Sequence, residues 1–142
     1  MILSILALAV KANAQNDFNF TGKDLFGLSF EADFEEFKSE NVALSYSVDL
    51  KSDDNVSAIF VVTISRDGKN VLWMSYPLSE GYQKSNEWWT NKNILKIPND
   101  YVKGGKLKCY VWNKNKETFF AKNFNATIEP IERQSYMPVL SD

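Results

Sequence analysis

The stretch VALSYSVDL, residues 42–50, decides how this chain folds. Apolar side chains occupy every second position and alternate with alanine, serine and aspartate. Successive side chains of a β-strand point to opposite faces, so this period of two predicts a strand with one buried face and one face nearer to water. The sequence therefore predicts that Val42, Leu44, Tyr46 and Val48 face one hydrophobic core.

The segment that follows is predicted to fold back on itself as a hairpin. Residues 58–64 are mainly apolar in both phases, which is typical of a strand inside a sheet. Asp67-Gly68 comes next and favours a type I′ turn, because both central residues of that turn need a positive φ. Residues 70–76 are the predicted partner strand, and Pro77 ends it.

The rest of the chain also divides into short strands, separated by turn-forming proline, glycine and asparagine residues. Residues 35–38 are predicted to form a single helical turn. The last strand is expected to contain a bulge near Lys122-Asn123, where its apolar phase changes. The remaining predicted strands cover residues 26–34, 88–97, 106–112 and 118–131.

Seven or eight short strands at regular spacing, with no helical repeat, predict an all-β fold, namely an antiparallel β-sandwich. A jelly roll is the favoured topology. An immunoglobulin-like sandwich is the alternative, and closure into a barrel is also open.

Composition narrows the possible chemistry. The chain has 142 residues, a net charge of −2, one cysteine and no histidine. A weakly acidic domain without a basic cluster is a poor binder of nucleic acid. The absence of histidine removes the commonest general base, so neither a Ser-His-Asp nor a Cys-His mechanism can be built. We expect a protein that is not an enzyme and has no cofactor or metal, with Cys109 as a buried thiol.

The first residues have the composition of a secretory signal. Residues 2–10 are almost all apolar, and residues 12–14 read Ala-Asn-Ala, a small-x-small cleavage site. The run is shorter than the roughly 20 residues that a bilayer span needs, so no retained membrane span is expected. The expected location is the periplasm, the cell surface or the extracellular space. The predicted divisions are a signal peptide at 1–14, a single β-sandwich domain at 15–133 and a C-terminal tail at 134–142.

Two segments in the second half carry a family resemblance. Residues 107–113 read LKCYVWN, and residues 119–128 read FFAKNFNATI. Together they resemble the last two strands of jelly-roll domains in exported bacterial proteins, which are similar to carbohydrate-binding modules of the galactose-binding-like fold. Trp73 and the Trp88-Trp89 pair fit the same pattern. The resemblance implies a sandwich that binds carbohydrate.

The candidate binding residues are aromatic. Tyr110 and Trp112 lie in antiphase to Leu107, Cys109 and Val111, so a core made of the last three places the first two on an outer face. Exposed rings can stack on the apolar face of a sugar, and nearby amide or ammonium groups can bind its hydroxyls. The predicted ligand-binding residues are Trp112, Tyr110, Trp88, Trp89, Trp73 and Asn113, with Asn91 and Lys92 as further candidates.

A second interpretation comes from a different functional class. Trp88 and Trp89 are neighbours in a predicted strand and cannot both enter one core, so one of them is expected to face outward. If the aromatic residues are instead buried, the chain is a structural or protein-interaction domain of the cell envelope. The expected partner is therefore a glycan or an envelope protein. The acidic clusters at residues 31–36 and 49–54 are interpreted as solvated turns, since Lys51 interrupts a calcium-loop pattern.

Overall fold

Two antiparallel sheets lie face to face and form a β-sandwich. They are described in a computed structural model that covers residues 10–11, 17–37 and 40–131. The first sheet contains β1 (Val10–Lys11), β2 (Phe18–Phe20), β4 (Val42–Lys51), β7 (Trp89–Ile97) and β9 (Phe119–Pro130). The second sheet contains β3 (Phe26–Asp33), β5 (Ile59–Arg66), β6 (Lys69–Pro77) and β8 (Lys106–Trp112).

The strand order is that of a jelly roll. In the first sheet β4 lies between β7 and β9, and both β1 and β2 pair with the far side of β9. The second sheet has the order β3-β8-β5-β6. From β2 onward, every connection except the β5–β6 hairpin passes from one sheet to the other. The predicted all-β sandwich is confirmed, and the order matches the jelly roll rather than the immunoglobulin-like alternative.

The core lies between the sheets where the sequence placed it. Burial alternates strictly along β4, and its four predicted core residues are at most 2% exposed. Leu107, Cys109 and Val111 of β8 contribute to the same core from the opposite sheet. Burial raises the pKa of the Cys109 thiol far above its ordinary value, which keeps the thiol protonated. The predicted core face is confirmed.

The β5–β6 hairpin has the predicted turn. Arg66 pairs with Lys69, which leaves Asp67 and Gly68 as a two-residue loop. Their φ angles are 53° and 78°, so both central residues are in the left-handed region that a type I′ turn requires. No heavy atom would meet a Cβ at Gly68 within 4 Å, so the need for glycine there is conformational rather than steric.

The last strand contains the predicted bulge. Ser47 of β4 pairs with Asn125, whereas Asp49 pairs with Lys122, so two residues of β9 oppose the single residue between them. Asn123 has a φ of 56°, the left-handed conformation that characterises one class of bulge. The bulge turns the Asn123 side chain toward the outer face of the first sheet, where it bonds to Asp49.

Short helical turns connect some of the strands. The predicted turn at residues 35–38 is present as a 3₁₀ turn at Phe34–Phe37. A second short turn, α1 (Asn99–Val102), follows Pro98 and was not predicted. Within the described residues, no helix has the length and apolar character needed to cross a membrane.

The predicted terminal divisions fall largely outside the described residues. Of the signal peptide predicted at 1–14, only Val10–Lys11 are described, and they pair with Thr127 and Ile128 of β9. The predicted tail at 134–142 lies entirely outside them.

Candidate functional site

The residues predicted to bind a ligand do not form one surface. Each sheet of the sandwich has an outer face, and the two faces point in opposite directions. Some predicted residues lie on one face, some on the other, and some between the sheets. Trp73, Tyr110 and Trp112 lie on the outer face of the second sheet, Trp88 lies on that of the first sheet, and Trp89 and Asn113 are buried.

Trp89 belongs to the core, so its predicted role as a surface ligand residue is corrected. It is only 6% exposed, and its indole Nε1 donates a hydrogen bond to the Leu78 carbonyl oxygen at 2.9 Å. The Tyr82 ring packs edge-on against it with a centroid distance of 5.0 Å. The outward-facing member of the tryptophan pair is therefore Trp88, which confirms that one of the two faces outward.

Asn113 is also corrected, because all of its polar atoms are used inside the protein. The side chain is fully buried, and its Nδ2 donates to the carbonyl oxygens of Asp24 and Glu117 at 3.0 and 2.8 Å. Its Oδ1 accepts a hydrogen bond from the Glu117 backbone N–H at 2.9 Å. Asn113 closes the turn between β8 and β9 and fastens it to the loop before β3.

Asn91, a further candidate, has a comparable structural role. Its Nδ2 donates to the carbonyl oxygens of Pro77 and Glu80, each at 3.1 Å, and its Oδ1 accepts from the Tyr46 hydroxyl at 2.8 Å. Burial raises the pKa of Tyr46 to about 12, so the hydroxyl remains a donor at physiological pH. Asn93 donates to the same hydroxyl at 2.9 Å. These bonds satisfy polar groups within the sandwich, so Asn91 is not available to a surface ligand.

The outer face of the second sheet carries what we call the aromatic face, made of Phe26, Trp73, Tyr110 and Trp112. The Phe26 ring packs edge-on to Tyr110 at 5.5 Å and stacks near Trp112 at 6.5 Å, both measured between ring centroids. Trp73 and Phe26 are about half exposed, at 49% and 54%. Tyr110 and Trp112 lie outside the main core, as their phase predicted.

The aromatic face covers a small apolar layer of its own. Val61 is the residue of β5 that pairs with Tyr110, and it is fully buried although it does not belong to the core between the sheets. Thr63, the next residue in the same phase, is 8% exposed, and its hydroxyl donates a hydrogen bond to the Lys108 carbonyl oxygen at 3.2 Å. The rings therefore serve partly as a cover for the middle of the sheet.

The outer face of the first sheet has a different character. The outward phase of β4 is small and polar, and longer side chains stand on the strands beside it. This difference in length produces an open depression of about 520 Å³, which we call the β4 groove. The groove is lined by Ser45, Tyr46, Ser47, Lys92, Asn93, Ile94 and Asn125.

A row of hydrogen-bonded side chains crosses this face at the end of the groove. The two carboxylate oxygens of Asp49 accept hydrogen bonds from Thr90 Oγ1 at 2.7 Å and from Asn123 Nδ2 at 2.9 Å. These bonds, the Asn123 bond first, hold the pKa of Asp49 below its ordinary value. We call Asp49, Thr90 and Asn123 the polar bar.

Beyond the polar bar lies a second depression of about 330 Å³ with an aromatic wall. Trp88 and Phe120, which are 43% and 45% exposed, line it together with two lysines. The ammonium nitrogens of Lys122 and Lys51 lie 4.0 and 5.5 Å from the Trp88 ring centroid and hold the ring over the sheet by cation–π attraction. We call these four residues the Trp88 platform.

Sequence reasoning missed most of this surface. Of its residues, only Trp88 and Lys92 were among the candidates, and Phe120, Asp49 and Ser47 were not. A signal was nevertheless present in the small side chains at 43, 45 and 47, because a row of small residues on the outward phase of a central strand produces a groove whenever its neighbours are longer. On the aromatic face, Phe26 was the missed residue.

Among the residues that the structure describes, the acidic side chains do not gather into a metal site. Within residues 10–11, 17–37 and 40–131, no three Asp, Glu or Cys side chains are close enough to hold a metal ion together.

The similarities of this chain to known proteins concern its fold. No protein-family profile and no curated protein matches the sequence. The T13 viral particle of infectious bursal disease virus aligns with 86% of this chain and 31% of the viral chain, at a TM-score of 0.55 and 12% identity. The VP2 subviral particle of that virus aligns over 86% and 32%, at a TM-score of 0.51 and 12% identity. This chain thus spans about a third of the viral chains, and the shared feature is the β-rich fold.

Proposed function

We propose that this protein is a non-catalytic binding module that holds carbohydrate on the outer face of its first sheet. The observation that carries the proposal is that an exposed tryptophan, a hydrogen-bonded carboxylate and an open groove lie on one surface. Sugars present both an apolar C–H face and a rim of hydroxyls, so a site for them needs a ring to stack on and fixed polar groups beside it.

The Trp88 platform and the polar bar provide these two kinds of contact. The platform offers a half-exposed indole ring that two lysines hold in place. Within the part of the chain that the structure describes, neither lysine forms an ion pair with a carboxylate, so both ammonium groups can still donate to a ligand. Asp49 is fixed from both sides, and a fixed group binds at a lower entropic cost than a mobile one.

The aromatic face supports the alternative function, a protein-interaction domain of the cell envelope. Phe26 packs on Tyr110 and Trp112, and the face offers apolar area rather than a groove with polar groups. Half-exposed aromatic residues on a flat face are typical of protein interfaces. The two functions therefore use different faces and can be tested independently.

The experiment compares two exposed tryptophans on opposite faces. Binding of the chain to cellulose, mannan, xylan and laminarin is measured for the wild type, Trp88→Ala and Trp73→Ala. We expect Trp88→Ala to weaken binding by at least about tenfold and Trp73→Ala to change it by less than about twofold. Both variants should melt near the wild-type temperature, since both rings are exposed. Loss of binding in Trp73→Ala alone would instead place the sugar on the aromatic face.

Export of the chain is part of the same proposal. Its support is the apolar run at residues 2–10 and the Ala-Asn-Ala site at 12–14. Expression in a bacterial host with a C-terminal tag should give an exported product whose N-terminal residue is Gln15. A product that stays in the cytoplasm with an intact N-terminus would contradict it.

A further inference from the structure

The β4 groove, the polar bar and the Trp88 platform follow one another along a single strand. The outward phase of β4 runs Ser45, Ser47, Asp49, Lys51. The first two residues line the groove, the third is the centre of the bar, and the fourth belongs to the platform. The six steps of extended chain from Ser45 to Lys51 span about 20 Å, so the three parts together form a path rather than a pocket.

We infer that this path binds an extended, linear chain of pyranose sugars, with several consecutive units lying along β4. The inference rests on the proposed function and names its class of ligand. A sugar ring is about as large as the indole ring of Trp88, so a single sugar on the platform would leave the bar and groove empty. Both depressions are open, which lets a polymer continue past either end.

Each part of the path has a different contact to offer. Trp88 stacks on the C–H face of one unit. Among the described residues, each carboxylate oxygen of Asp49 accepts one side-chain hydrogen bond, so each oxygen has a lone pair for a sugar hydroxyl at the centre of the path. Ser47, Asn125 and Lys92 face the units that lie in the groove.

The charges around the platform balance one another. Lys51 and Lys122 flank the platform, and Asp49 and Asp17 lie on the same side of it. Asp17 accepts a hydrogen bond from the Asn123 backbone N–H at 3.2 Å. At the platform two cations and two anions leave no net charge, and Lys92 in the groove adds one positive charge, which does not by itself call for a charged polymer.

The test measures affinity against chain length. Glucose, cellobiose, cellotetraose and cellohexaose, together with the corresponding manno-, xylo- and laminari-oligosaccharides, are titrated into the full chain by calorimetry. In whichever series binds, we expect affinity to rise by at least about tenfold from the disaccharide to the hexasaccharide.

A variant that fills the groove separates its contribution from that of the platform. Ser47→Tyr places a ring in the β4 groove and leaves the Trp88 platform intact. We expect it to lower hexasaccharide affinity to the level of the disaccharide, while disaccharide affinity stays within about twofold. Ser75→Tyr is the matched control, because Ser75 is an outward serine on the opposite sheet and should change neither affinity.

The outcomes distinguish the inference from the function on which it rests. If a monosaccharide binds as tightly as the hexasaccharide, or if Ser47→Tyr leaves hexasaccharide affinity unchanged, the linear path is wrong and the binding of sugar by Trp88 still stands. If none of the polymers or oligosaccharides binds, both the proposed function and the inference are overturned.

Discussion

The two outer faces of this sandwich each have a strand in the middle of the sheet, but the outward side chains of these two strands differ in their packing. The central strand is β4 in the first sheet and β5 in the second, and every second side chain of each points to the outer face. On β4 that phase is small and polar and stays accessible, and longer neighbours stand over it. On β5 it contains Val61, which is fully buried and pairs with Tyr110 of β8. The outer face of the first sheet thus carries an open groove, whereas that of the second sheet is filled, so we expect substitutions on the second to cost more stability.

Opposite substitutions at the two central strands should show the largest difference. Val61→Asp should lower the free energy of unfolding by about 3–5 kcal/mol, because it buries a carboxylate without a partner. Ser47→Asp, at the matching place on the other face, should change it by less than about 0.5 kcal/mol. Urea denaturation measures both. Equal losses in the two variants would show that the faces do not differ in packing.

Removing one exposed phenylalanine from each face should give a smaller difference. Phe26→Ala loses ring contacts with both Tyr110 and Trp112 and should cost about 1 kcal/mol. Phe120→Ala, with a similar exposed fraction, should cost less than about half of that. Thermal melts of both variants test this. A larger loss in Phe120→Ala would show that the platform, and not the aromatic face, contributes to stability.

The smallest effect concerns pH. Hydrogen bonds from Asn123 and Thr90 lower the pKa of Asp49, so its ionised form is stabilised by folding. A lowered carboxylate pKa gives stability that is present above the unfolded pKa and is lost as pH falls through the folded pKa. Because Asp49 is only partly buried and solvent screens its interactions, the effect on stability should be small.

The measurement is the difference in Tm between the wild type and Asp49→Asn across pH. We expect the difference to be constant above about pH 5 and to shrink below about pH 4. Asp54→Asn, an exposed aspartate in the turn after β4, is the control. A pH-independent difference would show that the hydrogen bonds do not favour the ionised carboxylate.

Local sequence patterns were sufficient for most of the fold. The alternation in β4, the Asp67-Gly68 turn and the change of phase near Asn123 each involve neighbouring residues, so each could be predicted from the sequence alone. By contrast, β2 has only three residues, Phe18–Phe20, and owes its conformation to pairing with the distant β9. A short strand of this kind leaves no periodic signal.

The candidate site was harder to predict because it depends on which strand lies in which sheet. Trp88 and Trp112 both face outward, but on opposite sheets. The alternation of side chains along each strand does not reveal which sheet the strand belongs to. Asn113 was predicted to bind a ligand because an amide near an exposed ring suits a sugar. The position of Asn113 in a polar turn indicates a structural role instead, because asparagine often closes turns through its own side chain.

The bulge in β9 changes which positions of that strand are buried. Before it, the buried positions are odd, with Phe119 and Ala121; after it they are even, with Phe124, Ala126 and Ile128. One extra residue therefore changes the parity of the strand. Deleting Asn123 would place Phe124 opposite Val48 and give the strand one continuous parity, so every other side chain of β9 would keep its face while the bulge and the Asn123–Asp49 hydrogen bond were lost.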